Sequence, residues 1–261
     1  MSQFQQPHRA KKSLGQNFLQ DPNICRKIVA ALAPSADDYI IEIGPGRGAL
    51  TEHLAEAGAR RLRVLEMDDD LADRLEERWP DLEVTRGDAL KFPWESLGEA
   101  GPCKIIGNLP YNVGSKLIWD IVSRVPTLTR AVFMVQHEVA LRLTAEPGCK
   151  AFGGLTAWVG NFCRTTYLFK VPPNVFRPQP KIDSAVVRFD PLPLEDRPDD
   201  PEALAGLIKL LFQQRRKQIS TILKKRMTPE VEAWFREQGV APSVRPENLT
   251  PNQFRSLSSV Y

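Results

Sequence analysis

Four consecutive residues, Asn108-Leu109-Pro110-Tyr111, follow the apolar run Lys104-Ile105-Ile106-Gly107 and carry the groups needed to present an amine. An exocyclic adenine amine is a poor nucleophile because its lone pair is delocalised into the ring. Two acceptors, one for each N–H, can turn that lone pair toward an incoming methyl group. The Asn108 side-chain oxygen and the Leu109 backbone carbonyl can supply them. Pro110 fixes φ and stiffens the turn. Tyr111 offers a flat face on which a base can stack. The same four residues also suit an ordinary turn after a strand, so the surrounding sequence has to decide.

Ile40-Ile41-Glu42-Ile43-Gly44-Pro45-Gly46-Arg47-Gly48-Ala49-Leu50 reads as strand, glycine loop and helix. Glycines let a ligand approach the backbone closely and permit unusual dihedrals. The spacing is Gly-x-Gly-x-Gly, not the dinucleotide Gly-x-Gly-x-x-Gly. Glu42 precedes the first glycine by two residues; a carboxylate there is awkward beside a pyrophosphate and tolerates a sulfonium and an ammonium. Both details favour S-adenosyl-L-methionine (AdoMet). Glu66 closes the next strand, at the acidic position about 20 residues after the loop that can accept ribose hydroxyls. Asp88 closes the third and could accept an adenine amine, with the Ala89 amide serving a ring nitrogen. Each acid alone reads as a solvated strand end. Gly44, Glu66, Asp88 and Asn108 at four successive strand ends do not, since ligands in open α/β sheets sit outside the carboxyl ends of strands.

The elements that would position these residues alternate. Strands are expected over 39–43, 61–66, 82–86, 103–107 and 130–135, and helices over 48–57, 69–78, 113–123 and 136–144. That rhythm implies a mostly parallel sheet covered on both faces. An earlier helix over 21–32 has Asp21 as cap, Pro22 at its first position and a stripe of Ile24, Ile28, Val29 and Leu32. Another is expected from Gly153 to Phe162. Thr165–Val171 and Ser184–Phe189, joined by a proline-rich stretch, should form an antiparallel pair at one sheet edge. The expected organisation is a flexible basic tail over 1–12, an α/β methyltransferase domain over 13–190, a proline- and acid-rich linker over 191–201, and a small all-helical domain over 202–261.

With 42% hydrophobic and 26% charged residues, the 261-residue chain belongs to the soluble globular class. No apolar stretch reaches membrane-spanning length and the start of the chain lacks an apolar signal core. Cys25, Cys103, Cys149 and Cys163 show no metal-like spacing, and scattered thiols suit a reducing cytoplasm. His8, His53 and His137 stand far apart, so no metal site is expected. Net charge is only +3, but Ala203–Met227 holds seven cations and no acid, and the first 27 residues hold five cations against Asp21. Two basic zones suggest a polyanionic partner.

The chain resembles the ribosomal RNA adenine dimethyltransferases, in particular the branch acting on small-subunit (16S) rRNA. The carriers are Gly15-Gln16-Asn17-Phe18-Leu19, the Glu-x-Gly-Pro-Gly loop, Asn108-Leu109-Pro110-Tyr111-Asn112 and Phe176-Arg177-Pro178-Gln179-Pro180-Lys181-Ile182-Asp183-Ser184-Ala185. The resemblance implies a Rossmann-like class I AdoMet methyltransferase sheet. It implies cofactor contacts from Asn17, Leu19, Gly44, Glu66, Asp88 and Asn108, and catalysis by Asn108, Leu109, Pro110 and Tyr111. The implied substrate is a pair of adjacent adenosines in a hairpin near the 3′ end of 16S rRNA, in immature small subunits. Phe176 is expected to stack on the target base opposite Tyr111. Arg215, Arg216, Lys217, Lys224 and Lys225 are expected to meet RNA, and the protein is expected to be a monomer. Two positions depart from the family pattern. Val113-Gly114-Ser115-Lys116 stands where Ser/Thr followed by Pro is usual, and His137 stands where Lys is usual. Four other readings share parts of the pattern: a large-subunit (23S) rRNA enzyme of the antibiotic-resistance type, a non-catalytic RNA-binding assembly factor, a DNA adenine methyltransferase, for which the basic C-terminal segment shows no groove-reading motif, and a nicotinamide oxidoreductase. The last leaves Asn108-Leu109-Pro110-Tyr111 unexplained.

Overall fold

The structure, a computed structural model, describes residues 10–11 and 15–261. Apart from Ala10 and Lys11, the expected basic tail over 1–12 lies outside the described residues. The chain forms two compact units. One gathers the chain through Ala140 with Thr166–Pro191, and the other gathers Leu141–Thr165 with Leu192–Tyr261.

In the first unit a short strand β1 (Phe18–Leu19) leads into α1 (Pro22–Leu32). Asp21 accepts the amides of Asn23 and Ile24, Pro22 occupies the first turn, and Cys25, Ile28, Val29 and Leu32 form the buried stripe. Then come β2 (Tyr39–Ile43), α2 (Ala49–Glu56), β3 (Arg61–Glu66), α3 (Asp69–Arg78), β4 (Glu83–Arg86), β5 (Cys103–Asn108), α4 (Gly114–Arg124) and β6 (Leu128–Gln136). α5 (His137–Leu143), β7 (Cys163–Val171), β8 (Phe176–Arg177) and β9 (Ser184–Pro191) follow, while α6 (Gly154–Val159), between α5 and β7 in the chain, belongs to the second unit. Seven strands make one sheet in the order β4-β3-β2-β5-β6-β9-β7. β4 to β6 run parallel and β9 pairs antiparallel with β6, Gln136 facing Ser184. Both faces are covered, as the sequence requires. Ile40, Ile106, Val132, Met134 and Val186 join α1 and α2 residues in one apolar cluster. Their neighbours of opposite parity, Ile41, Ile105, Phe133, Val187 and Phe189, are also fully buried.

The sequence did not signal the second sheet. β1 and β8 pair antiparallel, Phe18 opposite Arg177 and Leu19 opposite Phe176. Two residues on each side are too short for a period of two to be recognised.

The expected boundaries at 190 and 202 are corrected by the second unit. Leu141–Thr165 belongs to it, because α6 packs on α7 (Pro201–Gln213) and α10 (Pro251–Ser258). Phe152 lies beside Phe212, Phe212 stacks on Phe254 at 5.7 Å, and a Cβ at Gly160 would stand 2.6 Å from Pro251. The segment 191–201 is not a free linker: the Leu192 amide donates to Phe162 O and the Arg197 Nε to Leu192 O. α8 (Ile219–Ile222) and α9 (Pro229–Glu237) complete the unit. α7, α9 and α10 each begin with a capping residue and a proline: Asp200-Pro201, Thr228-Pro229 and Thr250-Pro251.

Candidate active site

The carboxyl ends of β2, β3, β4 and β5 open on one cavity of about 250 Å³. Asn17, Leu19, Gly44, Glu66, Asp88 and Asn108-Leu109-Pro110-Tyr111 all line it. The structure therefore brings together every cofactor and catalytic residue expected from sequence.

The glycine loop is shaped by what covers it. Gly44, Gly46 and Gly48 have φ of 62°, 58° and 82°, a region that favours glycine. A Cβ at Gly46 would lie 2.9 Å from the Phe18 ring, and one at Gly48 would lie 2.5 Å from Trp79. Phe18 thus rests on the loop, with the Arg47 guanidinium 4.6 Å from its ring centre.

Glu66 is 5% exposed. Its Oε2 accepts the Gly46 amide at 3.0 Å, and its Oε1 accepts the Met67 and Asp68 amides, both at 2.9 Å. Burial raises its pKa, and the three amides oppose that shift. A carboxylate has about four acceptor sites, so three amides leave room for one further hydroxyl; two ribose hydroxyls would have to share it. Glu42 is deeper, 1% exposed, and accepts the Thr51 hydroxyl at 2.6 Å. Burial, opposed by Thr51 and reinforced by the nearby Glu66, pushes its pKa up to about 8. Asp88, in the cavity wall, accepts the Leu90 amide at 2.9 Å through Oδ1.

At the other end, the Asn108 Nδ2 donates to Asn17 O at 3.0 Å. That bond fixes the amide orientation and leaves Oδ1 as the acceptor. The Pro110 carbonyl is taken by the Val113 and Gly114 amides, so the turn uses Pro110 and spares the Leu109 carbonyl proposed for the amine. The Tyr111 hydroxyl shares a 2.7 Å hydrogen bond with Ser184 Oγ on β9, and burial raises its pKa. Gly114 fits the departure at 113–116: a Cβ there would stand 3.3 Å from the Leu109 Cβ. His137 donates its amide to Asp183 O, and its ring meets Tyr167 edge-on at 6.0 Å.

Phe176 corrects an expectation. It is 1% exposed and packs with Leu19, Ile28 and Val171 in the core cluster. Opposite Leu19 in the β1–β8 pair, its ring lies in the core and not on the cavity wall where a stacking face was expected. The basic residues differ among themselves. Arg216, Lys217, Lys224 and Lys225 are exposed. Arg215, half-buried, is engaged within the protein: its Nη2 donates to Lys150 O at 2.7 Å and its Nε lies 3.6 Å from Glu247. The sequence reading also missed Thr51, Asp68 and Ser184. Asp68 alone had a local signal, as an acid directly before a helix.

The ribosomal RNA adenine dimethylase family model matches residues 7–261. The chain belongs to that family. It is 54% identical to a ribosomal RNA small subunit methyltransferase A of Maridesulfovibrio salexigens over 97% of this chain and 96% of the relative. It is 49% identical to one of Nitratidesulfovibrio vulgaris over 96% of each chain. Among solved structures, a dimethyladenosine transferase from Plasmodium falciparum superposes with a TM-score of 0.77 at 26% identity, covering 92% of this chain and 95% of that one. The 23S rRNA methyltransferase ErmE gives 0.72 at 26% identity, covering 93% and 98%. This member of the family is an rRNA adenine methyltransferase with a class I methyltransferase fold.

Proposed function

We propose that the protein dimethylates the exocyclic amines of two adjacent adenosines in the 3′-terminal hairpin of small-subunit rRNA, using AdoMet. The observation that carries this reading is the Asn108 amide, whose orientation is set by Asn17 O so that its oxygen is left to accept an amine N–H. The small-subunit target is supported by the names of the relatives at 49–54% identity.

The cavity's chemistry suits AdoMet. Its wall carries Glu42, Glu66 and Asp88, as a cationic ligand with a ribose and an adenine would need. Glu66 would take a ribose hydroxyl, Asp88 the adenine amine, and Asn17 and Leu19 would cover the ligand. Bound there, AdoMet supplies an electrophilic methyl on a sulfonium whose leaving group is a neutral thioether.

The chain's own residues position the target. Asn108 Oδ1 and the Leu109 carbonyl accept its two N–H groups and turn its lone pair outward. Tyr111, tethered to Ser184, offers a stacking face contributing ~1–3 kcal/mol. That offsets the few kcal/mol needed to unstack a base. Positioning of this kind can lower a barrier by ~7–11 kcal/mol. Exposed Arg216, Lys217, Lys224 and Lys225 bind RNA phosphates. Neutralising those four should lower the log–log salt slope of RNA binding by ~0.7–0.9 for each phosphate that a cation no longer meets, whereas Arg215, held by Lys150 and Glu247, should contribute less.

The deciding experiment incubates protein and AdoMet with immature small subunits, and separately with large-subunit rRNA, and maps methylation by mass spectrometry. Two adjacent dimethyladenosines in the small-subunit hairpin are expected. Modification of large-subunit rRNA alone would give the function of the ErmE-like branch, and none in either would leave an assembly factor.

A further inference from the structure

A second network runs through Asp68, which lies outside the cavity wall, and reaches that wall at Gln16. Its side chain is fully buried. Its Oδ1 accepts Lys11 Nζ at 2.6 Å, and its Oδ2 accepts Gln16 Nε2 at 2.9 Å. Gln16 Oε1 in turn accepts the Lys11 amide at 2.7 Å. Asp68 also caps α3 through the Asp70 amide and gives its own amide to Glu66 Oε1. The residue after Gln16 is Asn17, whose carbonyl holds the Asn108 amide. Beyond it Phe18 covers Gly46 and Leu19 pairs with Phe176. The strap 15–19 is thus pinned by Asp68 at one end and by the β1–β8 pair at the other, with the Asn17 carbonyl between the pins.

We propose that Asp68 and Gln16 are a positioning pair that couples the cofactor-holding Glu66 to the catalytic Asn108 through the strap. This inference rests on the function proposed above. One buried carboxylate sets both the loop that orients Glu66 and the segment that orients Asn108. Loosening the Asp68–Gln16 bond should therefore weaken cofactor retention and, separately, misalign the acceptor of the target amine. A strap that only stabilised the fold would lower the melting temperature without changing the transfer rate at saturating AdoMet.

The test uses the full-length protein and a hydrogen-bond swap. Gln16→Glu sets two carboxylates against each other. Adding Asp68→Asn restores a donor–acceptor pair with reversed polarity. Calorimetry should show AdoMet affinity about tenfold lower in Gln16→Glu, and single-turnover transfer at saturating AdoMet should fall about fivefold or more. The double variant should recover both to within about twofold. Gln16→Ala, which adds no charge, should show the same two losses to a smaller degree. The coupling is overturned if Gln16→Glu and Gln16→Ala bind and transfer normally, if only affinity falls while the saturated rate holds, or if a folded double variant stays as impaired as Gln16→Glu. Failure of the unaltered protein to bind AdoMet would instead remove the cofactor reading on which the coupling rests.

Discussion

Glu66 ends β3 and Asn108 ends β5, on either side of β2, yet the two side chains are held in opposite ways. Glu66 is gripped by three backbone amides, two of them from the next two residues and one from the glycine loop 20 positions away. Asn108 is oriented by one bond to Asn17, 91 positions away, and its neighbour Tyr111 by one bond to Ser184, 73 positions away. Amides in a turn cannot reorient without breaking the local backbone, so the Glu66 end is a fixed receptor. The Asn108 end is only as well placed as the segments that reach it. The difference suits the two tasks: binding a ligand needs a preformed socket, whereas transfer needs acceptors aligned to a fraction of an ångström.

The comparison can be broken most directly at Asn108. Asn108→Ala should lower single-turnover methyl transfer by about 100-fold or more, roughly 3 kcal/mol, while AdoMet affinity changes far less because Gly44, Glu66 and Asp88 remain. Near-normal transfer by the folded variant, with binding measured separately, would reduce the motif to a turn. Glu66→Ala should show the converse. Hydrogen bonds to a charged group are worth about 1.5–3 kcal/mol, so calorimetry should find affinity at least about tenfold lower, with the residual rate at saturation much closer to normal.

Glu42 sharpens the same contrast, because it lies in the same cavity wall with one hydroxyl in place of three amides. Its folded pKa near 8 lies above its ordinary value of 4.5. Between those values the unfolded chain has released the proton and the folded protein retains it. This group therefore costs stability progressively as pH rises from 4.5 toward 8. A cationic ligand favours the ionised form, so AdoMet affinity should rise with pH over the units below 8, by up to about tenfold per unit. Calorimetry at pH 6.5 and 7.5 checks the slope, and Glu42→Gln should flatten it; a slope that survives that change belongs to another group. The smallest effect is expected at Tyr111→Phe. It keeps the stacking face and loses the bond to buried Ser184, about 0.5–1.5 kcal/mol. Transfer should fall a few-fold at unchanged AdoMet affinity; a loss as large as that of Asn108→Ala would mean that the hydroxyl itself takes part.

The sequence by itself determined the parallel strands, because β2 and β5 read as apolar runs buried on both faces, and it placed Gly44, Glu66, Asp88 and Asn108 at their carboxyl ends. It determined the start of α1, where cap and proline are adjacent; the same pairing starts α7, α9 and α10, which the sequence reading left as one helical stretch. These are local rules, readable within a few residues. Tertiary structure decided whatever depends on a distant partner. The Gly15–Leu19 motif was legible as a motif, but not its bond from Asn17 to Asn108 or its tie from Gln16 to Asp68. A proline-rich connection reads as an exposed loop that leaves Phe176 for a base, and only the two-residue pairing with Leu19 put its ring in the core. Arg215 reads as one more cation in a basic run until Lys150 and Glu247 are brought beside it. Burial and hydrogen-bond partners of this kind are set by which segments meet, and no pattern of neighbouring residues encodes that meeting.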